Sequence, residues 1–117
     1  MTGRVYQFPS GDEQKTSWRY GFSVISALIR QLGVRQEPVP DHEGVVTQTP
    51  VFVIELHGFG DAREVQCSFE VTGVEALHTM LNLIIDGAHR RGDGFSITDY
   101  TQGVARLPEE YAIENQL

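Results

Sequence analysis

Apolar residues recur along the chain at two spacings, and the spacing assigns the elements. Trp18, Phe22, Ile25, Ile29 and Leu32 follow one another in steps of four, three, four and three, which places them on one face of a helix. Val24 and Leu28 widen that stripe. A capping box at residues 10–13, or Thr16 and Ser17, offers a start, and Gly33 offers a left-handed stop. Val74, Leu77, Leu81, Ile84 and Ala88 repeat the helical spacing after a second capping box at residues 72–75. Met80, Leu83 and Ile85 broaden this second apolar face beyond what one sheet needs, which points to a homodimer through the helix of residues 73–91.

Period two appears between these segments. Val65, Cys67, Phe69 and Val71 alternate with Glu64, Gln66, Ser68 and Glu70, so one set faces a core and the other faces water. Residues 51–57 form the preceding strand and residues 58–61 the turn, giving an antiparallel hairpin. Residues 4–8 read as an edge strand stopped by Pro9, and residues 95–98 and 104–107 as two further strands around a turn at 101–103. Residues 35–50 contain three prolines and read as a long connector with a short strand near 45–47. Pro108, Glu109 and Glu110 suit the start of a short C-terminal helix reaching Asn115. The predicted fold is α+β with two layers: an antiparallel sheet covered on one face by two amphipathic helices, plus that short C-terminal helix, in one domain over residues 1–117.

Composition fits a packed domain, with 40% hydrophobic and 21% charged residues. Cys67 is the single cysteine, so no intramolecular disulfide forms, and its place in the inward row predicts a buried, unreactive thiol. The chain begins without the pattern of a signal peptide, and its apolar runs fall short of the ~20 residues of a membrane helix, so the expected location is cytoplasmic with no membrane contact.

The net charge is -7 and unevenly placed: residues 1–35 hold five basic and two acidic groups, whereas residues 36–72 hold one and seven. That balance disfavours general nucleic-acid binding and favours a protein partner with a basic surface. Glu55, Asp61, Asp41 and Glu43, with the row Glu64, Gln66, Ser68 and Glu70, form the candidate partner-binding set.

Other constellations carry less. His57 opens a Gly58-Phe59-Gly60-Asp61 run that fits a glycine-rich hairpin, because no Gly-x-Ser-x-Gly elbow accompanies it. Asp41, His42, Glu43, His57 and Asp61 lack the spacing of a compact metal site, and no cofactor is expected. His89, Arg90 and Arg91 form a candidate anion site, or merely complement the dipole of a helix end. Three functions stay open: a non-enzymatic acidic interaction protein of the inhibitor or immunity type; a small ligand-binding protein or enzyme with a pocket using His57, His89, Arg91 or Asp99; and a structural subunit of a homo-oligomeric assembly, with the connector reaching a neighbour.

Overall fold

The sheet has six strands and one helix covers it, in a computed structural model that describes residues 3–9, 23–60, 63–90 and 94–114. The strands are β1 (Arg4–Phe8), β2 (Ser23–Pro38), β3 (Val46–Gly60), β4 (Arg63–Thr72), β5 (Phe95–Asp99) and β6 (Ala112–Glu114), and the helix α1 (Val74–Arg90) joins β4 to β5. In space they run β4-β3-β2-β5-β1-β6. Every pairing is antiparallel except β2 with β5, so the sheet is mixed, not purely antiparallel as predicted.

The first predicted helix is the largest correction. Trp18 and Phe22 lie outside the described residues, but Ile25 through Leu32 belong to β2. Its register against β3 breaks between Val24 and Ser26 and again between Gln31 and Gly33, each break leaving one extra residue, Ile25 and Leu32. A bulge that adds a residue shifts the phase of a period-two pattern, and two such shifts turn a strand's alternation into steps that mimic a helix. Between the bulges the alternation is plain: Ala27 and Ile29 are buried. Gly33, predicted as a helix stop, pairs with Val51 within the ladder.

The segment predicted as a connector is a β-hairpin. Val34 pairs with Pro50, Gln36 with Gln48 and Pro38 with Val46, and two linked turns close the tip. His42 N–H donates to the Val39 carbonyl at 3.2 Å and Val45 N–H to the His42 carbonyl at 3.1 Å. Asp41 and Gly44 hold φ of 63° and 80° at the third positions of those turns, where the left-handed conformation suits Gly and is tolerated by Asp.

The second predicted helix is α1. Leu77, Leu81 and Ala88 bury its inner face against Ile29, Phe52, Ile54 and Ile97, and complete burial of a leucine contributes about 1.5–3 kcal/mol. Gly73, at φ 96°, makes the corner from β4, and its N–H donates to the Pro50 carbonyl at 2.8 Å.

Strand β1 lies between β5 and β6 and not at an edge. Phe8 stacks on Phe95 with ring centroids 4.7 Å apart and meets Tyr111 at 5.4 Å. The C-terminal segment forms a 3-10 turn at Glu109–Tyr111 and then β6, where a helix was predicted, and residues 104–107 are turn and loop where a strand was predicted. Pairing with β1 claims the backbone of residues 112–114, and three residues of 3-10 turn are all that fits before it.

Candidate functional site

Strands β2 and β3 outrun the sheet. Strand β5 pairs with β2 only from Ser26 to Ile29, with Tyr100 N–H donating to the Ile29 carbonyl at 2.9 Å just beyond, and β4 leaves β3 at Val51. Past those points, among the described residues, the two strands continue alone as an arm, and the molecule measures 55 × 31 × 22 Å.

Cross-strand partners share a face, which divides the arm's side chains sharply. The face continuous with the helix-covered side of β3, where Phe52 and Ile54 lie, carries Val34 with Pro50, Gln36 with Gln48 and Pro38 with Val46, without a single charge. The other face carries Arg35 with Thr49 and Glu37 with Thr47. Thr47 Oγ1 donates to the Glu37 carbonyl at 3.3 Å, and Arg35 lies 4.0 Å from Glu37. Leu32, Val34, Val45 and Val46 are all about half exposed, at 50–54%.

Strand β4 forms the outer edge of the sheet beside β3. Its alternation is as predicted, with Val71 buried and Phe69 and Val65 half-buried on the helix side. Cys67 departs from expectation: it shares that side yet is exposed, between the half-buried Val65 and Phe69. Glu64, Gln66, Ser68 and Glu70 stand exposed in one row on the opposite face, and Glu55 pairs with Ser68 beside them. That face is not uniformly wet, since Val51 and Val53 on β3 are 7% and 9% exposed.

The structure therefore gathers five of the predicted partner-binding residues and scatters the rest. Asp41 and Glu43 lie at the tip of the arm, and Asp61 lies outside the described residues. His42 at the tip and His57 near the far end of β3 are separated by roughly 35 Å of strand, and among the described residues no three His, Cys, Asp or Glu side chains converge on a metal position. His89 and Arg90 are exposed at the end of α1, where Arg90 pairs with Asp86 at 3.0 Å; Arg91 lies outside the described residues.

His57, His89 and Asp99 occupy separate elements. Asp99, 3% exposed, is engaged within its own loop: its Oδ1 accepts from Thr101 N–H at 2.7 Å and from Thr101 Oγ1 at 2.6 Å, while Thr101 Oγ1 accepts from Ala105 N–H at 3.0 Å. His78 Nε2 meets the Val104 carbonyl at 2.7 Å and ties the same loop to α1. A shallow groove of about 840 Å³ runs between the end of β4 and the start of α1, past Val71, Gly73, Val74, Ala76 and Met80, with Glu70 and Glu75 as its carboxylates. No helix among the described residues is long and apolar enough to cross a membrane.

The arm is the feature the sequence did not reveal. Its signal was present in the Pro40-Asp41 and Glu43-Gly44 turn pairs, but the flanking strands are buried on neither face and so lack apolar alternation. Compared with known proteins, the chain matches no family model, no curated protein and no solved structure at a significant level.

Proposed function

We propose that the chain is a structural subunit of a homo-oligomeric assembly in which the β2–β3 arm contacts a neighbouring copy. One observation carries this reading: the arm projects beyond the sheet with an uncharged face and four half-exposed apolar side chains. A lone two-stranded hairpin is marginal in water, and these residues add nothing to the core of their own molecule, so the arm gains its stabilisation when it is covered. A second copy supplies suitable cover. On the same side of the sheet the chain leaves Val65 and Phe69 half-buried and Leu83 on α1 61% exposed. An interface needs about 800 Å² from each partner, and an arm of this length with both strands largely exposed offers that area.

Shortening the arm tests the proposal. Replacing residues 36–48 by an Asn-Gly turn between the paired Arg35 and Thr49 keeps the register and the core, and should convert a multiple of 13.1 kDa into the monomer, read by sedimentation velocity. A natural chain that sediments at the monomer mass at every concentration would end this reading.

A second reading, an acidic interaction protein that opposes a basic partner, is favoured by the exposed row Glu64, Gln66, Ser68 and Glu70 beside Glu55. It requires capture of a basic protein that weakens with salt and is lost in a Glu64→Lys, Glu70→Lys variant.

A further inference from the structure

Among the described residues, two long strand edges pair with no other strand. From Arg30 to Glu37 the outer side of β2 lies beyond β5, and along Arg63–Thr72 the outer side of β4 has no neighbour in the sheet. Neither stretch contains a proline, so each presents an uninterrupted set of backbone donors and acceptors; the first proline of β2 is Pro38. The opposite edge of the arm is shorter and ends on Pro50, which cannot donate.

The side chains beside these two edges are largely complementary, with Glu37 on the arginine face of the arm and Arg63 on the helix side of β4 as the exceptions. On the face away from α1, Arg30 pairs with Val53 and Arg35 with Thr49, which sets both guanidinium groups on one side. Glu64 and Glu70 of β4 lie on that same side, Glu70 opposite Val53. On the helix side the arm presents Val34 and its uncharged neighbours, while β4 presents Val65, Cys67 and Phe69, which α1 leaves incompletely covered. Within one sheet β2 and β4 run parallel, each being antiparallel to β3, so joining the two edges in that same parallel sense keeps like faces together. It therefore sets arginines beside glutamates on one face and apolar groups beside apolar groups on the other.

We propose that the occupant of the β4 edge is the arm of a second copy, so that β2 of one chain and β4 of the next form one continuous sheet. The idea rests on the assembly reading above and specifies its contact. Because the two edges differ, the contact is head to tail, and repetition closes a ring or extends a filament. Arg30 and Arg35 then serve as orienting charges, since inverting the arm would turn them to the face away from Glu64 and Glu70.

Charge reversal in both directions provides the test. In sedimentation velocity at low salt, the natural chain should form assemblies, whereas the Arg30→Glu, Arg35→Glu variant and the Glu64→Lys, Glu70→Lys variant should each remain monomeric with unchanged circular dichroism. The fourfold variant, with both edges reversed, should assemble again. A second readout needs no substitution: labelling of Cys67 by a maleimide should slow at least tenfold when the natural chain passes from the dilute monomer to the assembly. Assemblies that persist in both double variants, or Cys67 labelling at one rate in monomer and assembly, would overturn this contact while leaving the assembly reading in place. A natural chain that never assembles removes both.

Discussion

Replacing Thr101 by valine should weaken the fold far more than its small change in shape suggests. Thr101 Oγ1 donates to buried Asp99 at 2.6 Å and accepts from Ala105 N–H at 3.0 Å, so one hydroxyl links the end of β5 to the turn that follows. Losing a hydrogen bond to a carboxylate costs about 1.5–3 kcal/mol, and leaving the Ala105 N–H unpaired costs about 1–3 kcal/mol. The added methyl returns at most about 0.8 kcal/mol through burial. The net expectation is a loss of about 2–5 kcal/mol, or a fall in melting temperature of about 10–20 °C for a domain of this size. Urea titration should show a lower midpoint at an unchanged slope. Thr101→Ser keeps the hydroxyl and serves as the control, with a loss below about 1 kcal/mol. The reasoning fails if the valine variant is as stable as the serine variant. The same loop delivers Tyr100 N–H to the Ile29 carbonyl, the last link before the arm leaves the sheet, so its integrity sets where the free edge begins.

Three further outcomes follow from burial and charge. Leu81→Ala should cost about 2–5 kcal/mol because the side chain is 1% exposed, whereas Leu83→Ala, at 61% exposure, should change monomer stability by less than about 0.5 kcal/mol; equal losses in urea titrations would contradict the orientation of α1. Tyr6 has its pKa raised above 10.0, chiefly by burial and then by the charge of Glu109, with Arg4 opposing. The folded chain thus keeps a proton that the unfolded chain loses, and stability should fall as pH rises above 10 toward the folded value; a Tyr6→Phe variant with the same alkaline loss of melting temperature would refute this assignment. Cys67 in dilute solution should react with a thiol reagent about as fast as in denaturant, since it is exposed; strong protection there would show that the covering layer extends further along β4.

What the sequence discloses depends on how local the cause is. Helix α1 was legible because Leu77, Leu81 and Ala88 answer to a single covered face, and the β3–β4 hairpin because of the period-two row of β4, although β3 runs on through Gly60 where residues 58–61 read as the turn. Strand β2 misled because the extra residues Ile25 and Leu32 throw its alternation out of phase, and nothing local announces a bulge. The acidic row of β4 was legible as a row, but its neighbour across the strand, Glu55, became specific only through the register. Cys67 shows the limit of parity arguments: the direction of a side chain follows from the strand, whereas its cover depends on where a separate layer ends. The parallel contact of β2 with β5 joins segments some seventy residues apart and leaves no pattern in either.

The position of β1 has a consequence for how the chain reaches its fold. Tyr6 and Phe8 leave the ribosome well before the strands that hold β1, which come from residues 95–99 and 112–114. Strands β2 to β4 and α1 are contiguous in sequence and can pair as they emerge, whereas β1 must wait for β5 and β6. A ribosome halted before Phe95 exposes two aromatic side chains without β5 or β6 to receive them, so the emergence of those two strands, more than that of β1 itself, decides when β1 is secured.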